Sequence, residues 1–140
     1  MTVMATLSAI CAAIQAVVGE LDGIRVAPDA PTEMSNIQDT TAFCYPHVGS
    51  IIEVTGGQLE ADHTITMSII TPRRNMRTDW ARIVGFGETV PRALLLDQTL
   101  GGVVMAISQI RYTFGEVQWA GQQELGWQFE IDVMAQGTTS

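Results

Sequence analysis

The last third of the chain, "LLLDQTLGGVVMAISQIRYTFGEVQWAGQQELGWQFEIDV" from Leu94 to Val133, constrains the fold more than any other segment. It reads as the end of a helix, a glycine turn and two long strands. Leu125, Trp127, Phe129, Ile131 and Val133 alternate with Gln128, Glu130 and Asp132, the period of two that gives a strand one apolar face. In the preceding strand Val103, Met105 and Ile107 share a face, the phase then slips, and Ile110, Tyr112 and Phe114 carry the pattern on. A one-residue slip inside a strand predicts a β-bulge. Each strand would run roughly 35 Å, close to the full width of a domain of this size. Strands that long expose edges, which must be covered, charged or paired with another chain.

The remainder supplies helices to back such a sheet. Leu7, Ile10, Cys11, Ile14, Val17, Val18 and Leu21 follow the spacing of one buried helical stripe, with Thr6 or Thr2 as the cap and Gly19 or Gly23 at the end. "RVAPDAPTEMSNIQDTT" (25–41) reads as a loop or arm, because its two prolines and scattered polar residues break regular structure. "AFCYP" and "SIIEVTGG" read as two short strands, and "LEADHTITMSIITP" as a strand with one face on the core and one wet. "RRNMRTDWARIVGFGETVPRALLL" reads as a helix opening at a Thr78 cap with Trp80, Ile83 and Val84 inward. Gly85, Gly87 and Pro91 predict a kink or a split into two helices, ending near Asp97. The expected class is therefore α+β. A single domain spanning 1–140 would hold an antiparallel or mixed sheet of four to five strands, with two main helices on one face.

Composition narrows the function. Only 16% of residues are charged, against roughly 25% in ordinary soluble domains, so part of the surface is expected to be covered by partners. The net charge of −8 opposes tight nucleic-acid binding, which depends on Lys and Arg neutralising phosphates, although DNA can pass close to an acidic surface. Every basic residue is Arg, the cation enriched at interface cores. Cys11 and Cys44 lack CxxC spacing and read as small buried hydrophobes. The apolar N-terminus has helical period and no preceding cation, which points to a protein made in a reducing cytoplasm rather than to a secretion signal. No segment is long enough to span a bilayer, so no membrane partner is expected.

Chemistry is hard to place on this chain. His47 and His63 have no companions at metal-ligand spacing, and no phosphate loop, nucleophile elbow or dinucleotide fingerprint occurs. Asp62 and His63 are neighbours on a strand and would point to opposite faces. No catalytic residue, metal or cofactor is expected. Charge does cluster: Arg73, Arg74, Arg77, Arg82 and Arg92 lie within twenty residues, a local positive patch able to meet an acidic surface on a neighbouring copy.

Taken in order, the helix, the "YP" strand, "HTITMSIITPR", the helix opening "DWA", "DQTLGG", "YTFG", "WAG" and "GWQFEIDV" resemble the tail terminator (tail completion) proteins of long-tailed bacteriophages over residues 3 to 136. The resemblance implies a virion protein, assembled in the host cytoplasm into a hexameric ring. That ring would cap the finished tail tube and offer a docking face to the head connector, with DNA passing through its lumen. Its partners would be further copies of itself, the major tail tube protein and a head connector or neck protein. On that resemblance, contacts between subunits or with the tube are expected at Arg73, Arg74, Arg77, Arg82 and Arg92. They are expected also at Asp97, Leu100, Gly101 and Gly102, and at Trp119 and Gly121. Two other readings fit the same residues: a different neck or minor tail component, such as a head-completion stopper, and a cytoplasmic ligand-binding or enzymatic domain.

Overall fold

The computed structural model describes residues 3–24, 27, 40–72, 76–119 and 122–139; the side chains of 76–79, 117–119 and 122–123 lie outside that description. Helix α1 (Leu7–Gly19) is followed by strands β1 (Thr41–Thr55) and β2 (Gln58–Thr71), helix α2 (Met76–Leu96), and strands β3 (Ala106–Trp119) and β4 (Gln122–Thr138). The strands form one sheet in the order β1-β2-β4-β3, every neighbouring pair antiparallel. Both helices lie on one face, an α+β arrangement. No helix among the described residues is long and apolar enough to cross a membrane.

The core forms where the apolar face of each element meets the others. Ile10, Cys11, Ile14 and Val18 of α1 and Phe86, Val90 and Leu94 of α2 close over Cys44, Ile65, Met67, Ile69, Phe129 and Ile131 of the sheet. Thr6 caps α1, its hydroxyl accepting the Ala9 N–H at 3.1 Å. Gln15, buried on α1, donates its side-chain N–H to the Ala42 carbonyl and fastens the helix to β1. The alternation in β4 is as expected: Trp127, Phe129, Ile131 and Val133 are buried. The bulge in β3 is present too, as a register shift between Ile107 and Gln109. β3 begins at Ala106, however, so Val103 and Met105 lie in the turn before it and do not share a strand face with Ile107.

Three expectations are corrected. "AFCYP" and "SIIEVTGG" belong to one fifteen-residue strand, β1. Pro46 is tolerated because β1 is an outer strand, where a missing N–H need not break a ladder, and a register shift between Pro46 and Val48 absorbs the irregularity. β2 is not wet on one face: from Ile65 to Thr71 every residue is buried, including Thr66, Ser68 and Ile70 on the side away from the helices.

Helix α2 is the third correction. It is a single helix of 21 residues that begins at Met76, before the expected start at Thr78, with Pro91 inside it. Its buried stripe is Ile83, Phe86, Val90 and Leu94, while Trp80 and Val84 are 51% and 46% exposed. Burial of that stripe outweighs the low helix propensity of Gly85 and Gly87. Gly87 has a packing reason of its own. The Trp127 indole lies so close that a Cβ at 87 would stand 2.6 Å from its ring, and the indole N–H donates to the Ile83 carbonyl at 2.7 Å. What reads as a helix breaker in the sequence is the seat for a tryptophan.

Candidate assembly surfaces

The two outer strands carry the most distinctive surfaces. β1 is buried from Thr41 to Cys44, yet every residue from Pro46 to Thr55 is exposed. This outer limb carries Val48, Ile51, Ile52 and Val54, exposed by 48 to 61%. By register with β2, Ile51 (opposite Ala61) stands on the helix side of the sheet and Ile52 (opposite Glu60) on the other side. The limb ends at Gly56-Gly57, both with positive φ, in a two-residue turn of the kind that joins tightly paired strands. Exposed aliphatic side chains on both faces of an outer strand invite pairing with another chain.

A second apolar surface lies at the opposite edge. Beside its buried stripe α2 carries another, Trp80, Val84, Pro91 and Leu95, at the spacing that aligns residues along one flank. Trp80, Val84 and Leu95 are all exposed. Trp80 meets Phe114 of β3 edge-on at 6.1 Å, so this flank overlooks the outer strand. Next to Phe114 on the same side, Tyr112 is 62% exposed, its ring leaning on Trp127 at 5.4 Å. The flank of α2 and the aromatic side of β3 thus leave an exposed apolar patch, with Glu88 and Glu116 exposed beside it.

Magnitudes show what such surfaces can do. Full burial of a Val or Ile side chain contributes about 1.5–3 kcal/mol, so covering the exposed half of the four limb aliphatics contributes roughly 4 kcal/mol. Association costs about 4–15 kcal/mol in lost freedom. The limb alone therefore holds nothing firmly; a stable contact must cover further apolar surface or add strand pairing.

On the sheet face away from the helices the chain binds its own charges. Arg111 of β3 donates to Asp132 at 2.6 Å and to Glu130 at 3.0 Å, and Thr64 donates to the same Asp132 at 2.6 Å. Hydrogen bonds from Arg111 are the main reason the Asp132 carboxyl is held below its usual range, with Thr64 assisting and burial opposing. Arg111 stands outside the Arg window. Its cross-strand partners are visible only once β3 is set in register with β4.

Among the described residues, the expected contact residues do not gather at one place. Arg73, Arg74 and Gly121 lie outside the described residues, as do the side chains of Arg77 and Trp119 and most of the stretch 25–41. Arg82 and Arg92 are exposed on α2, and Arg82 approaches Asp22 of the α1 side at 3.8 Å. "DQTLGG" is a self-bonded turn: the Asp97 carboxylate accepts the Gly101 N–H at 3.1 Å, and Leu100, at φ 51°, buries its side chain in the core. Gly101 and Gly102, both with positive φ, leave their backbone exposed. Asp97 and Leu100 thus hold the turn together, and of the four expected contact residues here the two glycines face outward.

Reactive groups are occupied or dispersed. Cys11 and Cys44, unrelated in sequence, meet where α1 crosses β1, and the Cys44 thiol donates to the Cys11 carbonyl at 3.0 Å. Hydrogen bonding with Cys11 and then burial push the Cys44 thiol up, so it stays protonated. Asp62 is exposed and His63 buried, on opposite faces as the strand period requires. The Ser108 hydroxyl donates to the Asp132 carbonyl. No group of three or more potential metal ligands occurs among the described residues. A scan against protein-family models found no match, and a search of curated proteins found no similar chain.

Proposed function

We propose that this protein is a structural assembly protein of a long-tailed bacteriophage, a tail terminator whose copies form a ring that caps the tail tube and joins the tail to the head connector. The observation that carries this reading is the outer limb of β1, where aliphatic side chains stand exposed on both faces of an outer strand. A monomer gains nothing from such a strand and risks aggregation. A ring subunit has neighbours to cover it. The low charged fraction supports the same reading, since subunit contacts would hide much of the surface. The acidic balance suits a lumen that DNA traverses without being held.

The role is tested in infected cells by electron microscopy of particles made without this gene. A terminator predicts headless tails of overgrown and variable length. Tails of normal length that merely fail to join heads favour a stopper or another neck component. Normal infectious virions remove the protein from tail assembly altogether.

A further inference from the structure

We infer that Cys11 and Cys44 form a redox-sensitive clamp: in oxidising surroundings the two thiols close to a disulfide that fixes α1 to the base of β1, and in reducing surroundings they reopen. The clamp is independent of the assembly reading above and stands or falls without it.

The fold brings together two cysteines that stand 33 residues apart in the chain, and it does so through two matched contacts. Cys11 and Gln15 lie one turn apart on α1, about 6 Å along the helix. Cys44 and Ala42 lie two residues apart on β1, about 6.6 Å along the strand. Gln15 donates to the Ala42 carbonyl and the Cys44 thiol to the Cys11 carbonyl, so the contacts advance in step and hold Cys11 against Cys44. The two thiols also hydrogen-bond with each other. Sulfurs in such contact need only a short approach to reach their bonding distance of about 2 Å. Both are buried in the core cluster, and no group of three or more potential metal ligands among the described residues claims either of them.

A small-molecule disulfide serves as the oxidant. The hydrogen bond from Cys44 lowers the Cys11 pKa while burial opposes it, which makes Cys11 the attacking thiolate. Its sulfur displaces one thiol from the oxidant and forms a mixed disulfide. Capping Cys11 removes the hydrogen bond that chiefly holds the Cys44 pKa up, and the Cys44 thiol can then release its proton. The Cys44 sulfur bonds to that of Cys11, and the second thiol leaves. The protein has lost two hydrogens and the oxidant has become two thiols. Excess small thiol, as in a reducing cytoplasm, runs the same steps backwards. Because both sulfurs are buried, closure takes place when α1 lifts from the sheet or while the chain folds.

Unfolding the full-length chain in urea and refolding it in mixed reduced and oxidised glutathione gives the oxidant access to both thiols. Acid then stops exchange, and N-ethylmaleimide in urea labels every thiol left free. Intact mass is expected to show a chain short of two hydrogens that carries neither maleimide nor glutathione. At a known glutathione composition, the ratio of this form to the dithiol is expected to be roughly a hundredfold higher in the fold than in urea, the linked counterpart of the stability a disulfide usually adds. Hydrogen exchange at the α1 amides is expected to be slower in the oxidised protein than in the reduced one. The clamp is overturned by a ratio no higher in the fold than in urea, or by two maleimides on the refolded chain at every glutathione composition. Mixed disulfides or cross-linked dimers in place of the internal bond overturn it too, as does equal exchange at α1 in both forms. The tail role fails separately: normal virions from the deletion strain sink that role and leave the clamp standing.

Discussion

The base and the outer limb of the β1–β2 hairpin belong to the same two strands, yet their surroundings are opposite. At the base, Ile69 of β2 is 1% exposed; on the limb, Ile51 of β1 is 52% exposed, although both point to the helix side of the sheet. Residue type does not set this difference, since both are isoleucines in regular strand. Coverage does. At the base β1 lies under α1, fastened by the Gln15 and Cys44 hydrogen bonds, and beyond Tyr45 every β1 residue is exposed. A sheet longer than its helical layer has a part that belongs to the monomer and a part that calls for a neighbour.

The contrast breaks most directly under the same substitution at each end. Ile69→Ala is expected to lower the unfolding free energy by about 2–5 kcal/mol, as deletions from a filled core do. Ile51→Ala is expected to stay within about 0.5 kcal/mol, as at other surface sites. Urea denaturation of dilute protein measures both, and equal costs would erase the distinction between base and limb. A smaller effect sharpens the covered side. Trp127→Phe removes the N–H bonded to the Ile83 carbonyl and is expected to cost about 1–3 kcal/mol. Gly87→Ala, which crowds the indole in wild type, should cost clearly less in the Trp127→Phe protein, and additive costs would show that the ring does not rest on the glycine.

The smallest effect lies at the boundary between the two regions. His63 pairs with Gly49 at the junction, buried on the helix side, and burial lowers its pKa while Asp62 opposes the shift. The unfolded chain takes up a proton as pH falls through about 6.5, before the folded chain does. Stability is therefore complete above that pH and declines below it, until the folded imidazole is protonated as well. Melting curves from pH 7.5 down to pH 5 should show the decline, and His63→Gln should flatten it.

The sequence made some of this legible and hid the rest for identifiable reasons. β4 was readable because one face is covered and the other carries Gln128, Glu130 and Asp132, so local polarity reports burial. The β3 bulge was readable because a phase slip leaves a mark in the alternation. β2 misleads because Thr66 and Ser68 look like a wet face, yet they are buried, which local polarity does not encode. In α2, two apolar stripes lie side by side; reading Trp80 and Val84 as core merged them, and separating the phases 83-86-90-94 and 80-84-91-95 would have marked one as surplus. The limb left a faint signal as well. "SIIEV" places aliphatics on both faces of a strand whose neighbours are not uniformly apolar, a pattern that fits neither a half-buried strand nor a fully buried one. Cys11 and Cys44, and likewise Arg111 and Asp132, become partners only through register and helix placement, which spacing along the chain does not carry.

The seat of Trp127 on Gly87 also bears on how this chain can vary over generations. A methyl group at 87 is excluded while the indole stands there, and a smaller ring at 127 leaves a hollow while the glycine remains. Each residue closes the other's single-step routes of change. Descendant chains should therefore alter the two together or keep both, and where that pair persists in a lineage the angle between the long helix and the sheet should persist with it.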